Sequence, residues 1–107
     1  MYHDLKWSQS EKKVARRVYD SALEGELAEI MAEFKARATA VRTPDEMWVL
    51  EDYLSAKRRE LHEKYDYRYS QLDFVFGRLL REKRIEEEEL AGIAKEKLDR
   101  MRRLASL

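Results

Sequence analysis

From Asp45 to Phe76 the chain contains neither glycine nor proline, and the stretch is introduced by Thr43-Pro44-Asp45-Glu46. Thr43 can accept free backbone N–H groups as an N-cap. Pro44 falls at the first helical position, where its missing N–H costs nothing, and Glu46 completes a capping box with Thr43. The pattern predicts one helix from Thr43 to Phe76, roughly thirty residues or more and on the order of 45 Å long. A rod of that length cannot be buried by a small monomer, so it calls for a partner.

Composition agrees with long helices. Charged residues make up 41% of 107 residues, with three glycines and one proline, and apolar residues recur at helical spacing throughout. Lys+Arg and Asp+Glu balance at 22 each, so no basic excess points to nucleic acid or anionic lipid. The absence of cysteine leaves no disulfide and no thiolate metal site. No apolar run suggests a signal peptide or membrane span, and the default expectation is a cytoplasmic protein without a cofactor.

Three helices are expected. Met1–Trp7 reads as a loose arm, with Trp7 placed to staple the first helix just before a Ser8-Gln9-Ser10-Glu11 capping box. From Glu11 to about Val41 the residues Val14, Val18, Ala22, Leu23, Leu27, Ile30, Met31, Phe34, Ala38 and Val41 form one stripe. Gly25 would mark a bend or a close contact, and the opposite face of Lys, Arg and Glu reads as solvated. Arg42 alone separates this helix from the cap at Thr43, which forces an antiparallel hairpin whose facing stripes form the first core layer. The second helix has an apolar start (Met47, Trp48, Leu50, Tyr53, Leu54) and a polar middle (Ser55 to Glu60). An apolar stripe then returns (Leu61, Tyr65, Tyr69, Leu72, Val75, Phe76, Leu79, Leu80), with Gly77 as a point of bending. The third helix should start near Ile85, with Glu86–Glu89 in its first turn and Arg100, Arg102 and Arg103 in its last, matching the macrodipole. Leu90, Ile93, Ala94, Leu98, Met101 and Leu104 would be its buried stripe.

Little here supports catalysis. Of two histidines, His3 lies in the arm and His62 lacks the helical Glu-x-x-His ligand pattern. Asp66, four residues on, could pair with it. No metal ligand set and no acid–base pair of carboxylates is singled out. The polar middle of the long helix is unusual. Asp52 and Arg58 lie about 240° apart around a helix and cannot pair within it. If two copies cross antiparallel near Ser55, Asp52 of each faces Arg58 of the other, with small Ser55 and Ala56 letting the backbones approach. Trp48, on spacing alone, reads as core at the open end of the hairpin.

Trp48-Val49-Leu50-Glu51-Asp52-Tyr53-Leu54-Ser55-Ala56-Lys57-Arg58-Arg59-Glu60 resembles the signature segment of the cyanobacterial fluorescence recovery protein family. So do Lys64-Tyr65-Asp66-Tyr67-Arg68, Phe74-Val75-Phe76 and the Trp7-Ser8-Gln9 start. The resemblance implies an all-α homodimer: a helical hairpin whose very long second helix forms a stem (roughly 8–76), with a small C-terminal helical head (roughly 70–107), in a single domain over 1–107. It implies binding to the C-terminal domain of light-activated orange carotenoid protein, or a related carotenoid-binding protein, and acceleration of its red-to-orange return, which ends non-photochemical quenching at phycobilisomes. The partner-binding residues would be Trp48, Glu51, Asp52, Arg58 and Phe74. The dimer interface would comprise Asp52, Ser55, Ala56 and Arg58 with Leu27, Met31 and Phe34. Glu51 departs from the family's histidine at that position, placing a permanent anion where a group titrating near neutrality is usual. The rival expectation is a helical dimeric scaffold for a different protein partner.

Overall fold

The computed structural model describes residues 6–107, so Met1–Leu5, with His3, lie outside the described residues. Among the described residues the elements are α1 (Gln9–Ala40), α2 (Pro44–Lys64), α3 (Leu72–Arg81), a 3-10 turn (Glu87–Leu90) and α4 (Lys95–Ala105), with no strand. They form two compact units, one of Glu24–Tyr65 and one of Asp66–Leu107 with the chain up to Leu23.

Both predicted helix starts are present. The Glu11 N–H donates to Ser8 Oγ at 3.1 Å and the Ser8 N–H donates to Glu11 Oε1 at 2.9 Å, a reciprocal box. At α2 the Glu46 N–H donates to Thr43 Oγ1 at 3.2 Å, but Glu46 Oε1 accepts from the Arg42 N–H at 2.7 Å rather than from Thr43. That box is therefore displaced by one residue into the connection. Trp7, counted with the arm, is buried at 6% exposure. Its ring centre lies 5.8 Å from that of Tyr69, and Lys97 Nζ sits 5.1 Å from it.

In the unit of 24–65 the end of α1 and all of α2 form an antiparallel hairpin. Glu26 meets Lys64 and Tyr65, whereas Arg37 stacks on Tyr53 with its guanidinium carbon 4.2 Å from the ring centre. The expectation of a helix to Phe76 is overturned: α2 ends at Lys64, and Tyr65 is extended at φ −101°, ψ 92°. No local breaker causes this. Lys64 Nζ and the Tyr65 hydroxyl both reach the Glu26 carboxylate at 2.8 Å in a buried cluster, and continuing the helix would swing Tyr65 away from it. The Tyr65, Tyr67, Tyr69 alternation has a period of two and suits extended backbone. The stop also removes the geometry in which His62 and Asp66 would pair. Arg68 donates to both Asp66 oxygens, at 2.8 and 3.1 Å from Nε, and this holds the carboxyl below its usual range.

The α1 stripe is likewise only half a core. Val18 and Ala22 are buried, but Leu27 and Met31 are 43% and 57% exposed. A two-helix hairpin covers one side of each helix and leaves the other to solvent or to a partner. Gly25 does not interrupt α1, and a Cβ there would meet nothing within 4 Å.

The other unit holds the main core. Leu72, Phe76 and Leu79 from α3, with Leu90 and Met101, are fully buried, alongside Ala15 and Val18 of α1. Gly77 does not interrupt α3. It lets α4 approach: a Cβ there would lie 2.8 Å from Leu104 Cβ and 3.2 Å from the Met101 carbonyl oxygen. Gly77→Ala is expected to cost about 1–3 kcal/mol, outweighing a helix-propensity gain of about 1 kcal/mol. Urea denaturation would check this, and unchanged stability would show that the two helices can separate freely.

The third helix also differs from expectation. The chain makes a 3-10 turn at Glu87–Leu90, then a left-handed Gly92 at φ 103°, and only then α4. Buried Leu90 and Ile93 anchor the two sides of that break. The glutamates act locally: Glu86 and Glu89 form their own capping box, and Arg102 Nε donates to Glu87 at 3.0 Å. Arg102 and Arg103 do fall in the last turn of α4.

Candidate functional site

Within the hairpin, Leu27 and Ile30 of α1 and Glu51, Leu54, Ser55, Lys57, Arg58 and Leu61 of α2 line an open groove of about 360 Å³. The groove exists because the polar middle of α2 cannot close over the apolar stripe of α1. Its floor is aliphatic and its rim carries Glu51 and Arg58. Three of the expected functional positions, Glu51, Ser55 and Arg58, thus share one surface with Leu27. Ile30, Leu54 and Leu61 complete the floor. Their apolar spacing is visible in the sequence, but not that they would stay half-open.

Asp52 and Arg58 are both exposed, and neither makes an ion pair with another described residue. Lys57 pairs with Glu60 at 3.4 Å. Ser55 and Ala56 are exposed beside them, and Phe34 is half-buried. Trp48 is 56% exposed, with Met47 and Val49 also open to solvent. It is therefore not core at the hairpin end, the place its spacing alone suggested. The core position there is taken by Leu50.

Phe74, in the other unit, is also 56% exposed, although Val75 and Phe76 beside it are buried. Residues 72, 75, 76 and 79 fill the inner stripe of α3 at steps of three and four, and Phe74 falls outside it. Aromatic rings are among the residues that protein interfaces favour.

Among the described residues no group of three or more His, Asp or Glu is placed to hold a metal ion. No helix among them is long and apolar enough to cross a membrane. The hairpin exposes Trp48 on the same helix as Asp52 and Arg58, residue types that protein interfaces favour.

Among the described residues the fold is all-helical. The family model described as "Photoprotection regulator fluorescence recovery protein" matches residues 7–105. The chain is 40% identical over 101 residues to the fluorescence recovery protein of Synechocystis sp. (strain ATCC 27184 / PCC 6803 / Kazusa), covering 94% of this chain and 93% of that one. The solved structure of the protein from Synechocystis sp. PCC 6803 superposes with a TM-score of 0.90 at 39% identity, covering 95% of this chain and 100% of that one. The Fremyella diplosiphon fluorescence recovery protein superposes equally well, at 33% identity and the same coverage. The chain belongs to the fluorescence recovery protein family of photoprotection regulators.

Proposed function

We propose that this protein is a non-enzymatic regulator that binds the C-terminal domain of light-activated orange carotenoid protein and accelerates its red-to-orange return, ending non-photochemical quenching of phycobilisomes. Family membership supports the reading. The observation that carries it is a Trp48 left 56% exposed on the same helix as the unpaired Asp52 and Arg58 and the groove-lining Glu51. Phe74 provides a second exposed contact. A protein that only binds can speed relaxation if it holds the transition arrangement of its partner better than the starting one. No cofactor or nucleophile is required, and the site of action would be the cytoplasm.

The acting form is a homodimer in which the hairpins form the stem and the unit containing α3 and α4 the head. Two α2 helices cross antiparallel near Ser55 and Ala56, and Asp52 and Arg58 of one copy pair with Arg58 and Asp52 of the other. Leu27, Met31 and Phe34 lose their exposure in the contact. Their present exposure and the lack of a partner for either charge among the described residues support this arrangement.

The test is the dark recovery of a light-converted orange carotenoid protein, followed by visible absorbance. A several-fold faster return is expected, falling to the unassisted rate with Arg58→Leu and strongly reduced with Trp48→Ala. Arg58→Glu should also shift the protein toward monomer on a sizing column. A fully retained dimer would remove the proposed charge pairing. Glu51 favours a second reading, in which the natural partner is a related carotenoid-binding protein whose contact accepts a permanent anion. No acceleration by the parent, restored by Glu51→His, would select that reading. A helical scaffold for an unrelated partner would show no effect with either.

A further inference from the structure

Basic residues crowd the early part of α1, with Glu11 and Asp20 the acids among them, and Lys35 and Arg37 come only near its end. Lys12, Lys13, Arg16 and Arg17 fall together, whereas Glu24, Glu26, Glu29 and Glu33 follow later. The helix does not call for this, since cations in an early turn lie toward the positive end of its dipole. Local pairing does not explain it either. Arg16 Nη1 donates to Asp20 at 3.3 Å, but exposed Lys13 and Arg17 make no ion pair or hydrogen bond through their side chains with described residues.

The other two cations are held in place. The Arg16 guanidinium lies 3.7 Å from the centre of the Tyr67 ring, and Lys12 Nζ lies 5.1 Å from that of Tyr69. Tyr67 is itself fixed edge-on against Tyr19, at 4.8 Å between ring centres, and Tyr69 lies 5.7 Å from Tyr67. Tyr67 and Tyr69 come from the non-helical connection between α2 and α3, so the break in the long helix is what delivers them to α1. A guanidinium flat on a ring keeps its edge N–H groups in plane for an acceptor, and it loses less side-chain freedom when that acceptor arrives.

We propose that Lys13, Arg16 and Arg17, with the supporting Tyr67, form a docking surface for a carboxylate-rich segment of another protein. This surface includes none of Trp48, Glu51, Asp52, Arg58 or Phe74. Lys13 and Arg17 are four residues apart, about 6 Å along the helix, a spacing that carboxylates at every fourth position of an acidic helix reproduce. Nucleic acid fits less well. Asp20 sits among the cations, and Arg16 and Lys12 already lie over the tyrosine faces on which unpaired bases would stack.

The test is fluorescence anisotropy of a fluorescein-labelled peptide bearing glutamate at every fourth position, titrated with the full chain at low and at physiological salt. Binding that weakens with salt is expected. The Lys13→Glu/Arg17→Glu double variant should weaken it about tenfold or more, and Lys35→Glu on the same helix should leave it unchanged. Circular dichroism checks folding, and Lys13→Gln/Arg17→Gln should reproduce a smaller loss in the same direction. The proposal is overturned by no binding at low salt, or by equal loss in the Lys35 control. A thymidine oligonucleotide of equal length that binds more tightly would assign the surface to nucleic acid. Self-association of the parent abolished by the double variant would assign it to a second copy. Either result also overturns the proposal.

Discussion

Replacing Glu26 with alanine is expected to destabilise the hairpin by about 3–5 kcal/mol, the cost of leaving one member of a buried ion pair without the other. The Lys64 side chain is 2% exposed, and the Glu26 carboxylate takes both its Nζ and the Tyr65 hydroxyl at 2.8 Å. Removal takes from a buried ammonium and a buried hydroxyl the carboxylate that both of them bond. Urea denaturation followed by helical ellipticity would measure the loss. The informative control is Glu26→Met with Lys64→Met, which removes both charges and fills the space. That pair should recover most of the stability, because buried pairs contribute little net energy over apolar packing. A loss below about 1 kcal/mol for Glu26→Ala alone would mean that other groups or water take over Lys64.

The second large effect is expected at Glu11. Its carboxylate caps α1 through the Ser8 N–H, accepts the Ala94 N–H at 2.8 Å, and meets Lys97 Nζ at 3.2 Å. Glu11→Ala removes all three at once and should cost about 2–4 kcal/mol, from one lost cap and charge-assisted bonds at a buried position. Burial by itself would raise the Glu11 pKa, but the Ser8 and Ala94 N–H groups and Lys97 outweigh it, leaving the pKa below the ordinary 4.5. A depressed folded-state value stabilises the fold above the unfolded pKa. The contribution is therefore complete above about pH 4.5 and is lost as pH falls through the lower folded value. Comparing the urea midpoint of the parent with that of Glu11→Gln across this acidic range would check the sign. The parent should fall more steeply, and parallel profiles would remove Glu11 as the source.

What could be read from the sequence divides by the range of the interaction that decides it. The caps at Ser8 and Thr43, the length of α1 and the short connection at Arg42 depend on residues within one helical turn, and all were legible. The stop at Lys64 was not, because its cause is Glu26, far back in the chain, and nothing between Asp45 and Phe76 breaks a helix locally. The period-two tyrosines were a signal that the helical stripe through Leu61, Tyr65 and Tyr69 overrode. The late turn at Glu87 was hidden for a related reason. Leu90, Ile93 and Met101 fit a helical stripe as well as they fit the broken path around Gly92.

In the candidate site, the identities of Glu51, Asp52, Arg58 and Phe74 stood out through the family resemblance. Their openness did not. Trp48 shows why: an apolar ring near the end of an amphipathic stripe reads as core until the neighbouring Leu50 is seen to fill that place. Exposure is set by how much of a stripe the opposing helix can cover, which no single helix encodes.

The bonds from Glu11 to Ala94 and Lys97 join residues more than eighty positions apart, whereas the hairpin of 24–65 closes through a three-residue connection of Val41, Arg42 and Thr43. On a ribosome the hairpin can pair while synthesis continues, but the other unit has to wait for α4 to emerge. Its core, built from Val18, Phe76 and Met101 alike, has no early form. A chain halted before α4 would carry α3 with its apolar face open and nothing to receive it, so arrested or clipped products of this gene would be sticky rather than partly functional.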